Sequence, residues 1–288
     1  MRILVTGGTG FIGSHFLQSA VRAGHEILAV KRQGAEPKIP LAGKVTWIIA
    51  PSFGDLPPER FEGIDVLVHL AAAGVTPQPA SWPLCYSVNV TETVRLLEAA
   101  HAAGVRRAVV AGTYAEYGLS GLRHDPIPPD APLQPTDIYA ASKASGFIAA
   151  STMARINRWE LAYLRVFSAF GEGQNACNFW PALRKAALAG EDFPMTPGEQ
   201  IRDFMPVEDV ARMFLNATMI PLQPGRPLVA NVGTGAPQTL RAFAESWWKK
   251  WEAKGNIFFG AIPYRSGEVP RYVPEICEEL AIADERPR

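Results

Sequence analysis

Near its start the chain reads Arg2-Ile3-Leu4-Val5-Thr6-Gly7-Gly8-Thr9-Gly10-Phe11-Ile12-Gly13, an apolar run that ends in a glycine-rich turn and continues into an amphipathic stretch. Such a run reads as a buried strand, and the stretch from Ile12 reads as a helix. The turn holds two overlapping patterns, G-x-x-G-x-x-G at Gly7, Gly10 and Gly13 and G-x-G-x-x-G at Gly8, Gly10 and Gly13. Glycines permit a tight turn and a close approach of backbone to a ligand, while the helix N-terminus offers amide hydrogens and the positive end of its dipole. An ordinary glycine-rich turn is the plain alternative. Its place between strand and helix favours a site for a dinucleotide's pyrophosphate, lined by Gly7, Gly10, Phe11, Ile12 and Gly13.

The pattern repeats outward from this unit. Glu26 to Val30, Val45 to Ile49, Val66 to Leu70, Ala108 to Ala111 and Leu161 to Val166 also read as strands, with helices expected from Val88 and Tyr139. Near-continuous apolar strands alternating with helices imply an α/β fold whose parallel sheet is covered on both faces, a doubly wound sheet. Beyond Gly171 prolines such as Pro181, Pro194, Pro197 and Pro206 break the chain into shorter elements, so a smaller C-terminal lobe is expected. Val229 to Val232 reads as one more strand returning to the sheet. The expected division is residues 1–171 with a return segment of about 204–233 for the sheet domain, and 172–203 with 234–288 for the lobe.

With 288 residues, 48% of them hydrophobic and 19% charged, the chain can build a large core and is not disordered. Lys plus Arg and Asp plus Glu number 28 each, so no broad cationic surface exists for nucleic acid or an anionic membrane. Anions must be gripped locally. Cys85, Cys177 and Cys277 lack the spacing of a zinc site or a disulfide framework; no metal site is expected, and a reducing compartment suits the chain. The apolar run before Gly7 is too short for a signal peptide or a membrane span, so a cytoplasmic protein is expected.

At the end of the second strand, a carboxylate would bind an adenosine ribose and repel a 2′-phosphate. This chain reads Val30-Lys31-Arg32-Gln33 there. Arginine pairs with phosphate through parallel hydrogen bonds and lysine adds point charge, so NADP(H) is preferred, with NAD(H) the alternative. Tyr139 and Lys143, in Tyr-Ala-Ala-Ser-Lys, lie one turn apart on one helix face. A phenol ordinarily titrates near pH ~10, but a neighbouring ammonium favours its ionised form and suits it to acid–base work. Thr113, in Val110-Ala-Gly-Thr-Tyr-Ala-Glu-Tyr-Gly118, supplies a hydroxyl at the end of a strand.

The glycine turn, Thr113, Tyr139 and Lys143 in this order resemble the extended short-chain dehydrogenase/reductase family, the NAD-dependent epimerase/dehydratase type with a Rossmann sheet that acts on nucleotide sugars. His69-Leu70-Ala71-Ala72 resembles its H-x-A-A, which places Leu70, Ala71 and Ala72 beside the cofactor. Asn89 resembles its helix asparagine, Arg165 to Gly171 the segment entering the substrate lobe, and Arg202-Asp203-Phe204 with Val207 to Val210 its R-D-F-x-x-V-x-D-V. The resemblance spans about residues 1 to 270. It implies that Tyr139 is the acid/base, that Lys143 tunes it and binds the nicotinamide ribose, and that Thr113 orients the sugar oxygen. Arg202 and Arg265 resemble arginines that hold the substrate's diphosphate, with surface salt bridges as the alternative.

The departures narrow the chemistry. Dehydratases of the family carry carboxylates after the threonine, where this chain has Tyr114 and Ala115, so dehydration is not expected. Glu116, one position later, is expected to be a carboxylate paired with a neighbour. The expected activity is NADPH-dependent reduction of a nucleotide-activated 4-keto, often 6-deoxy, sugar. A nucleotide-sugar 4-epimerase with tightly bound NAD is the alternative, and a non-catalytic dinucleotide-sensing regulator the minor one. Ser52 stands where an adenine-contacting aspartate is common, with Asp55 close by to substitute. Alanine-rich faces on the helices near Val88 and Tyr139 suggest a homodimer, and Trp247, Trp248 and Trp251 read as lobe core.

Overall fold

The computed structural model describes residues 1–75, 81–264 and 269–280. Strand β1 (Arg2–Thr6) leads through the glycine turn into α1 (Phe11–Arg22), and β2 (Glu26–Lys31), β3 (Thr46–Ile49) and β4 (Val66–His69) follow. Next come α2 (Trp82–Tyr86), α3 (Thr93–Ala102), β5 (Arg107–Thr113), α4 (Ile138–Ile156) and β6 (Glu160–Val166). These strands match the expected ones to within a residue or two at their ends.

The sheet is doubly wound, as the alternation implied. Together with β10 (Leu228–Val232), which closes one edge, seven strands lie in the order β10-β6-β5-β4-β1-β2-β3, all parallel. Ile3, Leu4 and Val5 have no exposed surface. Successive side chains of a strand point to opposite faces. Ile3 and Val5 accordingly pack with Phe16 and Leu17 of α1, while Leu4 joins Leu67, Leu96, Leu97 and Tyr163 on the other side. Fully burying such side chains contributes roughly 1.5–3 kcal/mol each, which is why a two-sided strand carries no polar alternation.

The helix expected from Val88 is interrupted. α2 and α3 are joined by a wider turn, Ser87–Glu92, with five-residue hydrogen-bond spacing. Thr93 Oγ1 donates to the Val88 carbonyl at 3.2 Å, and the Asn89 side chain leaves the helix surface to accept from the Ala73 amide at 2.8 Å. Asn89 Nδ2 donates to the Ala73 carbonyl and to Ser142 Oγ of α4, each at 2.9 Å. Local helix expansions of this kind follow where a side chain must reach outside the regular ladder. Gly146 of α4 makes the approach feasible, because a Cβ there would fall 2.6 Å from the Asn89 carbonyl oxygen.

Past β6 the elements shorten: β7 (Ser168–Phe170), α5 (Phe179–Ala189), β8 (Phe193–Met195), β9 (Ile201–Pro206), α6 (Val207–Met219) and β10 (Leu228–Val232). The final ones are β11 (Pro237–Thr239), α7 (Leu240–Lys250), β12 (Ile257–Phe259) and β13 (Arg271–Tyr272). Strand β9 pairs with β7, β11 and β13, and β8 pairs with β12. α6 returns to cover the main sheet, with Phe214 fully buried in the cluster that holds Ile3 and Phe16. Trp247 and Trp248 of α7, with Trp251 at its C-cap, pack around Leu183 and Met195. Among the described residues, no helix is long and apolar enough to cross a membrane.

Candidate active site

In a parallel sheet all strands point the same way, so their carboxyl ends converge on one edge and a crevice opens where the winding reverses, between β1 and β4. Gly7, with φ +74°, turns the chain at this point. A Cβ on Gly7 would sit 2.5 Å from the Ala71 amide nitrogen, and one on Gly13 would sit 2.0 Å from the Gly7 carbonyl oxygen. Both glycines are therefore required for β1, α1 and the end of β4 to pack closely. The added Cβ of Gly10 meets only the Gly7 carbonyl, at 3.1 Å. Gly10 is the N-cap of α1 without a side-chain cap, and the first turn carries no acidic residue. The helix end is thus left open and electropositive, which fits a pyrophosphate.

His69 joins the two strands that flank the crevice. Thr93 spends its proton on Val88, so His69 Nε2 donates to Thr93 Oγ1 at 3.0 Å, and Nδ1 accepts from Thr6 Oγ1 at 2.6 Å. Burial, reinforced by the charge of Lys143, pushes the imidazole down to about 3. It is a neutral brace that ties Thr6 at the end of β1 to Thr93 at the start of α3, and Leu70 and Ala71 follow directly against Gly7.

At the end of β2, Lys31 Nζ lies 2.8 Å from Glu36 Oε1 and 5.0 Å from the centre of the Trp47 ring. The expected pair of cations is therefore not equivalent: Lys31 has a carboxylate partner, whereas Arg32 is exposed and has no ion pair among the described residues. Asp55 is engaged by Arg95 at 3.1 Å, and Ser52 Oγ donates to Glu92 at 2.8 Å.

The structure brings Thr113, Tyr139 and Lys143 together. Asp137 caps α4 by accepting from the Ala140 amide at 2.8 Å, and this sets the first turn from which Tyr139 projects. The Tyr139 ring packs against Gly74, where a Cβ would come within 3.3 Å. Burial and then the negative field of Glu116 hold the phenol well above its usual range, while a hydrogen bond from Thr113 opposes them. Lys143, buried at 6% exposure, donates to the Ala111 carbonyl at 2.7 Å. Burial lowers its pKa and the Glu116 charge raises it. Such a site holds a neutral phenol ready to give a proton, and added positive charge nearby would favour the phenolate.

Glu116 does not face the site as a free carboxylate. It is fully buried and ion-paired with Arg165 at 2.7 Å. Sequence alone does not identify Arg165 as its partner, nor Tyr163, whose hydroxyl also donates to Glu116. Arg202 donates to the carbonyls of Ile201, Val269 and Pro270 and lies over the Tyr272 ring, so it ties β9 to the segment entering β13. Arg265 and the chain end beyond Leu280 lie outside the described residues. Asp203, fully buried, accepts from the amides of Thr234 and Gly235 and locks the turn after β10.

A family model described as NAD dependent epimerase/dehydratase family matches residues 3–233. The chain belongs to this family. It is thus an NAD(P)-dependent oxidoreductase or sugar epimerase of the extended short-chain dehydrogenase/reductase kind. A UDP-glucose 4-epimerase of Lactobacillus helveticus is 27% identical over 268 residues, 81% of this chain and 77% of that protein. A dTDP-6-deoxy-L-talose 4-dehydrogenase (NAD(+)) of Aggregatibacter actinomycetemcomitans is 25% identical over 279 residues, 92% of this chain and 96% of that one. Among solved structures, MoeE5 in complex with UDP-glucuronic acid and NAD superposes with a TM-score of 0.81 at 28% identity, covering 97% of this chain and 91% of its own.

Two outcomes follow from this geometry. Gly13→Ala forces a Cβ into the Gly7 carbonyl, so dinucleotide affinity, measured by fluorescence titration, drops by about tenfold or more. His69 binds no proton in the folded state until about pH 3, whereas in the unfolded chain it titrates near ~6.5. In that window the unfolded state holds the extra proton, so stability is full above it and declines as the pH falls, by up to ~1.4 kcal/mol per pH unit. Urea unfolding across this range shows a shallower loss in His69→Gln; an equal slope would exclude His69 as its source.

Proposed function

We propose that the chain catalyses oxidoreduction at C4 of a nucleotide-diphosphate sugar, as an NADPH-dependent reductase of a 4-keto, 6-deoxy sugar. The Thr113–Tyr139 hydroxyl pair beside Lys143, with Tyr114 and Ala115 in the next positions and Glu116 sequestered, carries this reading. It provides one proton-transfer group for an oxygen at C4 and no free carboxylate behind Thr113 for eliminating water. The relative matched along 96% of its length is a 4-dehydrogenase of a 6-deoxy sugar nucleotide, which supports the same chemistry. MoeE5, in complex with a UDP-sugar and NAD, supports the substrate class.

A bound nicotinamide cofactor supplies the hydride that reduces the carbonyl carbon. The protein's residues do the rest. Thr113, beside the sugar oxygen, directs its one proton at Tyr139, and Tyr139 gives its own proton to the sugar oxygen as negative charge develops there. Lys143 holds positive charge beneath the phenol and stabilises its ionised form once the proton has left. The open end of α1 holds the cofactor pyrophosphate, and Arg32 with Lys31 receives a 2′-phosphate. Arg202 and Arg265 are proposed for the substrate diphosphate; Arg202 does so only if it exchanges backbone carbonyls for phosphate oxygens. A homodimer in the cytoplasm remains part of the reading.

The Lys31–Glu36 pair favours a second reading, a 4-epimerase with resident NAD, because it brings a carboxylate to the ribose end of β2. The UDP-glucose 4-epimerase relative supports it too. Glu36 is 72% exposed, however, while Lys31 is 13% exposed, so the carboxylate partner is the one open to water and to exchange. A phosphate dianion can displace it.

Nucleotide released from the denatured protein separates the two readings. Bound NAD with sugar interconversion lacking added cofactor indicates the epimerase, and NADPH consumed stoichiometrically with a 4-keto sugar indicates the reductase. Tyr139→Phe abolishes either turnover while dinucleotide binding persists; undiminished turnover would remove the assignment. Glu36→Gln frees Lys31 and raises the NADPH-over-NADH affinity ratio by about three- to tenfold, read by titration with both cofactors. An unchanged ratio would remove Lys31 from cofactor selection.

A further inference from the structure

Glu116 is a carboxylate with no exposed surface, and two of its three partners adjoin the site. Its Oε1 accepts from the Thr113 amide at 2.9 Å and from the Tyr163 hydroxyl at 2.8 Å, and Oε2 accepts from Arg165 Nε at 2.7 Å. Arg165 is 1% exposed and is fixed in turn. Its Nη1 donates to the Tyr117 hydroxyl oxygen at 3.1 Å and to the Pro129 carbonyl at 2.8 Å, and its guanidinium lies 4.3 Å from the centre of the Phe147 ring. Gly112 makes room for this arrangement, since a Cβ there would fall 2.3 Å from the Tyr163 ring and 3.0 Å from Glu116 Oε1.

The bond from the Thr113 amide has a reciprocal. Thr113 Oγ1 accepts from the Ala115 amide at 3.3 Å, so the two side chains cap the turn Tyr114–Tyr117 from both directions. That amide takes one of the hydroxyl's two acceptor lone pairs and so orients the group, whose proton favours the ionised form of Tyr139. The Tyr163 hydroxyl that donates to Glu116 also lies 3.4 Å from the Lys143 carbonyl, which links the same carboxylate to the α4 turn carrying Lys143.

We infer that Glu116 is a positioning residue of the hydride-transfer site: anchored by Arg165, its carboxylate holds the Thr113 amide and so aims the Thr113 hydroxyl at Tyr139. This inference rests on the C4 reading for the roles of Thr113 and Tyr139. It differs from a fold-only cap because it acts through one side chain. Glu116, with no exposed surface, has no face open to a sugar or a cofactor.

The test uses the full-length protein carrying Glu116→Ala together with Arg165→Met, so that neither charge is left unpaired in the interior. Both changes are placed in the Thr113 and Thr113→Ala backgrounds. With Thr113 present, kcat falls by about tenfold or more while KM and dinucleotide Kd stay within about twofold. In the Thr113→Ala background the same two changes cause no further loss, because the residue they act through is already gone. Glu116→Gln with Arg165→Met keeps an acceptor for the Thr113 amide and restores kcat to within about threefold of wild type. Losses that multiply across the two backgrounds, or a folded double variant with wild-type kcat, would overturn the inference. Hydrogen exchange at the Thr113 amide provides a readout independent of turnover, rising by about tenfold or more in the Glu116→Ala, Arg165→Met chain relative to the rest of β5. If the wild-type protein turns over no nucleotide sugar, the C4 reading fails by itself. Unchanged Thr113 exchange then refutes the positioning role, and selective loss of protection supports it.

Discussion

Two opposite charges buried beneath the sheet's carboxyl edge constrain much of what surrounds them. Removing one member of such a pair strands the other in a medium that cannot solvate it, at a cost of about 3–5 kcal/mol. Glu116 and Arg165 therefore have to find all their hydrogen bonds inside the protein. They do so across β5, β6 and the Pro129 carbonyl, and Tyr117 extends the chain by donating to Asn231 of β10 at 2.6 Å. Asn231 in turn donates to the carbonyls of Ile127 and Glu275. The strands and loops beneath the crevice are thereby joined through buried side chains. The same network reaches the Thr113 amide and, through Tyr163, the Lys143 carbonyl.

The crevice has a second brace on its cofactor side, built without charge. His69 is kept neutral by burial and bridges Thr6 to Thr93, while Asn89 breaks the regular helix to hold Ala73 and Ser142. Glycines at Gly7 and Gly13 allow β1, α1 and the end of β4 to approach closely enough for these bonds to form. The two braces meet at α4, which carries Tyr139 and Lys143 on one face and receives Asn89 through Ser142. Local helix regularity is given up here, and the backbone groups it frees are bonded by side chains.

Most of the fold was legible because its signals are local. A strand buried on both faces must be apolar throughout, as Ile3 to Val5 are, and a turn that lets a helix N-terminus face a phosphate must be glycine-rich. Tyr139 and Lys143 share a face by spacing alone, and Tyr114 and Ala115 argued against dehydration simply by being there. The expanded turn at Ser87–Glu92 was not legible, because what opens it is the bonding of Asn89 to Ala73 and Ser142, two segments far from it in the chain. Lys31 and Arg32 looked alike in sequence, yet the fold sets Glu36 and Trp47 against one and leaves the other in solvent.

The sequence by itself determined the parallel sheet, the dinucleotide turn and the family, since each depends on periodicity or on short motifs that any copy of the chain displays. Tertiary structure alone decided the partners of the charges. Glu116 meets Arg165 only because β5 and β6 are neighbours in the sheet, and Arg202 reaches Val269 and Pro270 only because β9 pairs with β13. Electrostatic interactions depend on distance and on the exclusion of water, and neither quantity exists until the chain has folded.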